Sequence, residues 1–187
     1  SFTRHGIYRK YLDGPNSLDY KNNLVVLELD HLKGKKHLQQ VVLLQLIAQL
    51  NNEFYLGDRR VPKILLVDEA WEAFEDPMVA KFLEGAFRRM RKAAAAPVVV
   101  TQSLRDLYNS ASGEAIANNA ANVIVLRQNG EAIEALKESG RFNIGDYGYE
   151  KLKSLHTEPG QYSEVRFRSG TAWGAGRFVV DRFSQLL

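Results

Sequence analysis

From Leu24 onward, short continuous apolar runs that end in polar residues alternate with longer helical stretches, an order that few architectures accept. Residues 24–29 are the first such run, closed by Asp30 and a polar turn through Gly34, and read as a strand. Residues 38–56 are apolar on nearly every side, the pattern of a helix buried between other elements. After Gly57, Asp58 and Pro62, the run Ile64-Leu65-Leu66-Val67 has the unbroken apolar character of a strand covered on both faces. Residues 77–94 follow as a helix with Phe82, Leu83, Ala86, Phe87 and Met90 on one side and Arg88, Arg91 and Lys92 on another. Pro97 ends it, Val98-Val99-Val100 makes a third buried strand, and Ser103 stands where a helix cap is needed. A helix over 113–121, a strand over 122–126 and helices over 131–139 and 146–155 come next. The alternating residues 161–168 and the glycine-punctuated stretch 171–183 close the chain as a hairpin about Ser169-Gly170. The alternation builds a mostly parallel sheet with helices on both faces, an α/β three-layer sandwich ended by a C-terminal antiparallel hairpin.

Composition narrows the chemistry. The 187 residues are 45% hydrophobic and 25% charged, enough for one domain with a sizeable core. There is no cysteine, which excludes disulfides, thiolate metal sites and thiol nucleophiles, and fits a reducing cytosol. The four histidines, His5, His31, His37 and His156, lack metal-ligand spacing and read as surface or turn residues. A net charge of +3 is too small for a dedicated nucleic-acid binder, so local clusters must carry any such binding. Residues 41–50 are the most apolar stretch, but Gln45 and Gln49 interrupt it, and neither a membrane span nor a signal peptide is expected. The chain opens on Ser1 in a polar, aromatic-spotted segment, so residues 1–20 are expected to be an irregular N-terminal piece of a larger protein.

The sharpest motif is Lys63-Ile64-Leu65-Leu66-Val67-Asp68-Glu69, a strand that delivers two adjacent carboxylates at its C-terminal end in the Walker B form. In phosphoryl-transfer sites the first acid helps hold Mg²⁺, usually through water, and the second polarises the water that attacks the γ-phosphate. Ligands of open parallel sheets bind outside the carboxyl ends of the strands, which is where both acids fall. The same pattern also describes an ordinary strand entering a polar loop, with Asp68 capping the next element. The neighbouring strand ends in Thr101-Gln102, and a parallel partner places Gln102 in the same crevice as Asp68, where it can contact the γ-phosphate or the attacking water. Alternatively, residues 101–103 are only a strand-to-helix turn. Between the two motifs lies Arg88-Arg89-Met90-Arg91-Lys92, preceded by an acidic stretch over 68–76. In a ring of ATPases such a helix can present an arginine finger to a neighbouring subunit's nucleotide; otherwise it is a solvated helix face or a phosphate contact. Asp30 is a weaker strand-end candidate, and Trp71 reads as core packing or a subunit contact.

No Gly-x-x-x-x-Gly-Lys-Ser/Thr occurs in the sequence, so the glycine-rich phosphate cradle is not among these residues. Together with Arg105-Asp106-Leu107 and Phe178-Val179-Val180-Asp181-Arg182-Phe183-Ser184, the motifs resemble the C-terminal part of the ATPase domain of TraC-type conjugative type IV secretion system ATPases. The resemblance runs from about residue 20 to the end and is most specific over Val-Asp-Glu-Ala-Trp, the basic helix and Thr-Gln-Ser.

That resemblance implies a RecA-like P-loop NTPase sandwich, related to the HerA and FtsK ring ATPases, with residues 21–187 as its C-terminal part, lacking the Walker A segment. It implies ATP and Mg²⁺ as ligands, a hexameric ring, and a place in the bacterial cytoplasm at the inner membrane, beside inner-membrane and channel subunits of the secretion system. There the motor energises conjugation, DNA transfer and pilus assembly. On this reading Asp68 is the Mg²⁺ acid, Glu69 the catalytic base and Gln102 the sensor, with Arg91 as first choice and Arg88 as second for the finger. Hydrolysis by this chain alone is not expected. In RecA-like sheets the phosphate-loop strand lies beside the sensor strand, so the gap there is expected to be closed by a neighbouring chain's strand, to leave exposed edges, or to belong to the remainder of a longer protein. The alternative is a non-catalytic RecA-like interaction domain that docks secretion-channel subunits and keeps the acids as relics. Direct nucleic-acid binding through residues 88–92, Arg166 and Arg168 is a third reading, and the acidic stretch over 68–76 counts against it.

Overall fold

The computed structural model describes residues 5–6, 9, 22–32 and 34–181, which fall into two compact units, 1–50 and 51–187. The segment 1–20 expected to be irregular lies almost wholly outside the described residues, as do Arg182, Phe183 and Ser184.

In the first unit, Asp30–Leu32 forms a 3₁₀ turn and Lys36–Asn51 forms helix α1, whose last residue opens the second unit. Two sequence expectations fail here. Residues 24–29 adopt no regular structure, and Leu24 is 78% exposed. A strand needs a neighbour for its backbone N–H and C=O groups, and among the described residues none pairs with this run. Helix α1 is not buried all round: Leu38 and Leu43 are buried, whereas Leu44 is exposed. An all-round apolar helix is covered only where neighbours exist on every side.

The second unit opens with a π-helical turn, Asn52–Leu56, and then holds a parallel pair and an antiparallel sheet. Strands β1 (Lys63–Val67) and β2 (Ala95–Val99) run parallel in the register Lys63↔Ala95 to Val67↔Val99. Between them come α2 (Ala70–Phe74), α3 (Pro77–Arg89) and a 3₁₀ turn, Met90–Ala93. Helix α3 starts sharply because Asp76 Oδ1 accepts the backbone N–H groups of Met78 and Val79, at 2.8 and 3.2 Å, with Pro77 preset for the first helical position. Such a cap contributes about 1 kcal/mol. Leu83, Ala86 and Met90 are buried, and Arg88, Arg91 and Lys92 are exposed, as the periodicity predicts. The element ends at Ala94, whose φ of 52° is left-handed, rather than at Pro97, which sits inside β2. The Lys63 N–H bonds the Ala94 carbonyl and the Val100 N–H bonds the Val67 carbonyl, so even-numbered residues of β2 face β1 and the Pro97 nitrogen faces the other edge. Among the described residues no strand pairs with that edge.

The two-sided burial expected for β1 is not found, since Ile64 is 72% and Leu66 60% exposed while their neighbours along the strand are half-buried. One face of the pair is covered by helices and the other carries no packed layer among the described residues.

Helices α4 (Leu104–Tyr108), α5 (Ala111–Asn119), α6 (Gly130–Ser139) and α7 (Gly145–Lys153) build the rest of the core with β3 (Asn122–Val125). Ser103 caps α4 as expected, in a capping box closed by Asp106. Ile133, Leu136, Phe142, Tyr149 and Leu152 form the centre of this cluster, and the Trp173 ring meets Phe142 edge-on at 5.9 Å. The expectation that β3 joins the parallel sheet is corrected: it pairs antiparallel with β5 (Tyr162–Ser169), Val125 opposite Arg166. A four-residue apolar run carries no mark of its partner's direction, and the long β5 edge supplies the ladder. The two-residue strand β4 (Thr157–Glu158) and β6 (Ala172–Phe178) complete the sheet on β5. The closing hairpin turns at Gly170-Thr171, with Gly170 at φ 59°, one residue later than predicted. Among the described residues no helix is long and apolar enough to cross a membrane.

Burial raises the phenols of Tyr108 and Tyr149 above their usual range, against the opposing positive charges of Arg168 and Lys137. Hydrogen bonds to Asp146 and Glu134 raise Lys137 and Lys153. All four hold their protons more tightly folded than unfolded. Their contribution is therefore full below about pH 10, where the unfolded groups begin to titrate, and is lost as pH rises through the folded values. Urea unfolding at rising pH is expected to show a midpoint that falls above about pH 10, and a constant midpoint there would contradict this.

Candidate active site

Strand β1 leads straight into Asp68 and Glu69 at its carboxyl end. Glu69 takes a left-handed backbone, φ 49° and ψ 43°, a conformation that costs a side-chain-bearing residue about 1 kcal/mol. Two bonds hold the turn: Asp68 Oδ1 accepts the Glu69 N–H at 2.9 Å, and the Ala70 N–H reaches the Val100 carbonyl of the neighbouring strand at 3.0 Å. Asp68 thus bonds the very next residue and does not cap α2, which has no side-chain cap at its start.

The parallel register brings Gln102 alongside. Its Nε2 donates to Glu69 Oε1 at 2.8 Å across 33 residues of sequence, so the two polar strand ends singled out in the sequence meet in space. The Trp71 indole Nε1 donates to the other oxygen, Oε2, at 2.7 Å. This contact was missed by the sequence reading; the available signal was an N–H donor two residues after the acid, on the first turn of the following helix. Asp68 is exposed and Glu69 half-exposed, which leaves both within reach of a ligand.

Among the described residues there is no group of three or more acidic or histidine side chains able to hold a metal. A single strand-end aspartate fits Mg²⁺ as nucleotides carry it, bound by one or two carboxylates together with phosphates and water.

The basic residues are not brought to this point. Arg88 lies near the end of α3 and pairs with Glu84 at 2.7 Å, and Arg91 sits in the 3₁₀ turn that leads to β2. The bond from Lys63 to Ala94 puts this run at the amino end of the strand pair, the acids being at the carboxyl end. The five residues of β1 separate the two ends by about 16 Å. Of the other basic candidates, Arg168 turns inward: its Nη2 donates to the Ala117 and Ala120 carbonyls at 3.2 and 3.0 Å, at the end of α5. Arg166 lies over the Trp173 ring at 5.1 Å. His156, read as a surface histidine, bonds Glu164 through Nδ1 at 2.8 Å and Tyr162 through Nε2 at 3.2 Å. Asp30 opens the 3₁₀ turn of the first unit.

The model of the TraG P-loop domain matches residues 1–138 of the sequence. The chain belongs to this family. It is 28% identical over 148 residues to Protein TraC of Escherichia coli (strain K12), a match that covers 76% of this chain and 16% of TraC. The resemblance to TraC-type ATPases drawn from the sequence is borne out by both findings. Among solved structures, VirB4 of Thermoanaerobacter pseudethanolicus aligns with a TM-score of 0.67 at 21% identity, over 96% of this chain and 48% of the VirB4 chain. The TraG-family chain therefore shares its α/β fold with VirB4 while spanning less than half the length of either relative.

Proposed function

We propose that the chain is the Walker B and sensor part of a RecA-like motor ATPase that energises conjugative type IV secretion. The observation that carries the reading is the 2.8 Å bond between Glu69 and Gln102, contributed by the ends of two adjacent parallel strands. A carboxylate and a carboxamide so placed can share one water: the water gives its proton to Glu69 as its oxygen bonds the γ-phosphorus of ATP and the bond to the bridging oxygen breaks. Gln102 orients that water or the γ-phosphate. Asp68 would hold Mg²⁺ through water, and the ion, when bound, neutralises phosphate charge. Membership of the TraG P-loop family and the TraC match support this assignment.

The missing phosphate cradle must then come from elsewhere in the polypeptide or the assembly, and this chain alone is expected not to hydrolyse ATP. Arg91, or failing it Arg88, acts on the nucleotide of a neighbouring subunit in a hexameric ring, since both lie at the end of the strand pair opposite Glu69. The motor works in the bacterial cytoplasm, peripheral to the inner membrane and against the inner-membrane and channel subunits of the secretion apparatus. The test is ATP hydrolysis by the longest polypeptide the gene encodes, beside the 187-residue chain. Turnover by the former alone is the expected outcome; absence of both binding and turnover in the longer form leaves an interaction domain.

A mixing experiment tests the finger. Glu69→Gln and Arg91→Ala subunits, each inactive alone, are expected to recover measurable turnover when combined, because a mixed interface joins an intact Glu69 to an intact Arg91. No recovery removes Arg91 from that role and moves the test to Arg88.

A further inference from the structure

We propose that Trp71 is the positioning residue of this site, a fixed donor that holds one oxygen of Glu69 while Gln102 holds the other and releases it to the reaction. The inference rests on the catalytic reading of Glu69 given above. Trp71 is 38% exposed, so burial in a core does not account for its place, whereas its indole nitrogen lies 2.7 Å from Glu69 Oε2. An indole N–H only donates, stays neutral through the working pH range and sits on a side chain with two rotatable bonds. Trp71 also lies in the first turn of α2, two residues from Glu69, so its bond to Oε2 closes within one turn of chain.

Gln102 differs in each respect. It comes from the end of β2, and its carboxamide can donate or accept, so a phosphate oxygen or a water can replace Glu69 Oε1 as its partner. Exchange at Gln102 then lets the water give its proton to Oε1, while Trp71 keeps Oε2 in place.

The chain contains only two tryptophans, Trp71 and Trp173, and Trp71→Phe identifies the indole N–H resonance of interest. In the 187-residue chain at neutral pH that resonance is expected to lie downfield, as an N–H bonded to a carboxylate does, and to move upfield in Glu69→Gln but not in Asp68→Asn. A resonance that Glu69→Gln leaves in place overturns the proposal. In the longest encoded polypeptide, Trp71→Phe is expected to lower kcat about tenfold with KM within about twofold, the signature of a displaced base rather than weakened binding. An unchanged kcat also overturns it. The resonance needs no nucleotide, so a failure of the anchor is told apart from a failure of the ATPase reading, which shows as undiminished turnover in Glu69→Gln.

Discussion

Glu69→Gln is expected to lower ATP turnover of the longest encoded polypeptide by about 10²- to 10⁴-fold, the range by which a positioned general base accelerates proton transfer. Glutamine keeps the length of the side chain, and its carbonyl oxygen can still accept the N–H that Gln102 gives to Glu69 Oε1. It has no carboxylate to take a proton, and its amide nitrogen cannot accept the Trp71 N–H as Oε2 does. Nucleotide affinity should stay near the wild-type value because Asp68 is untouched, and the melting temperature should hardly move because Glu69 is outside the core. Steady-state hydrolysis and equilibrium binding of labelled ATP separate the two effects. Turnover within about twofold of wild type would make the strand-end acids structural and leave the docking role in possession of the domain.

Leu152→Ala is expected to destabilise the 187-residue chain by about 3 kcal/mol, and so to lower its melting temperature by about 10 °C. Leu152 is 1% exposed and lies in the cluster with Ile133, Leu136, Phe142 and Tyr149, where the hydroxyl of Tyr149 is fixed to the Phe142 carbonyl at 2.5 Å. That anchored ring limits collapse into the space left by the leucine, which is what makes a cavity costly. The informative comparison is Leu66→Ala. Leu66 belongs to the most strand-like apolar run of the sequence, yet it lies 60% exposed on the open face of β1, and its truncation should cost within about 0.5 kcal/mol. Thermal melts of the two variants decide the matter; equal losses would mean that the open face of the strand pair is covered in solution.

The Leu66 contrast also marks where sequence patterning stops being informative. A continuous apolar run reports that a strand belongs beside packed layers: Lys63–Val67 is a strand within one residue of the predicted bounds, and Ala95–Val99 is a strand that begins three residues before the predicted start at Val98. It does not report whether those layers are present. Residues 24–29 carry the same signal as β1 but find no partner strand among the described residues and stay irregular. In β3 the signal was right for the element and wrong for its neighbour, because nothing in Asn122–Val125 distinguishes a parallel from an antiparallel partner. Helix starts were legible where local residues mark them, Pro77 at α3 and Ser103 at α4, whereas α2, which has no side-chain cap, was not read from the sequence.

The sequence by itself determined the strands at β1, β2 and β3, the Ser103 cap, the two acids at one strand end and the glutamine at the next, because each depends on residues close together in the chain. Only the tertiary structure decided that Glu69 turns through a left-handed backbone and meets both Gln102 and Trp71, and that Arg88 and Arg91 lie at the opposite end of the strand pair. The physical reason for the Gln102 contact is register: which strand ends converge is set by how parallel strands pair across 33 residues of intervening chain, whereas the Trp71 contact depends on the left-handed turn at Glu69 that the neighbouring strand holds through Val100.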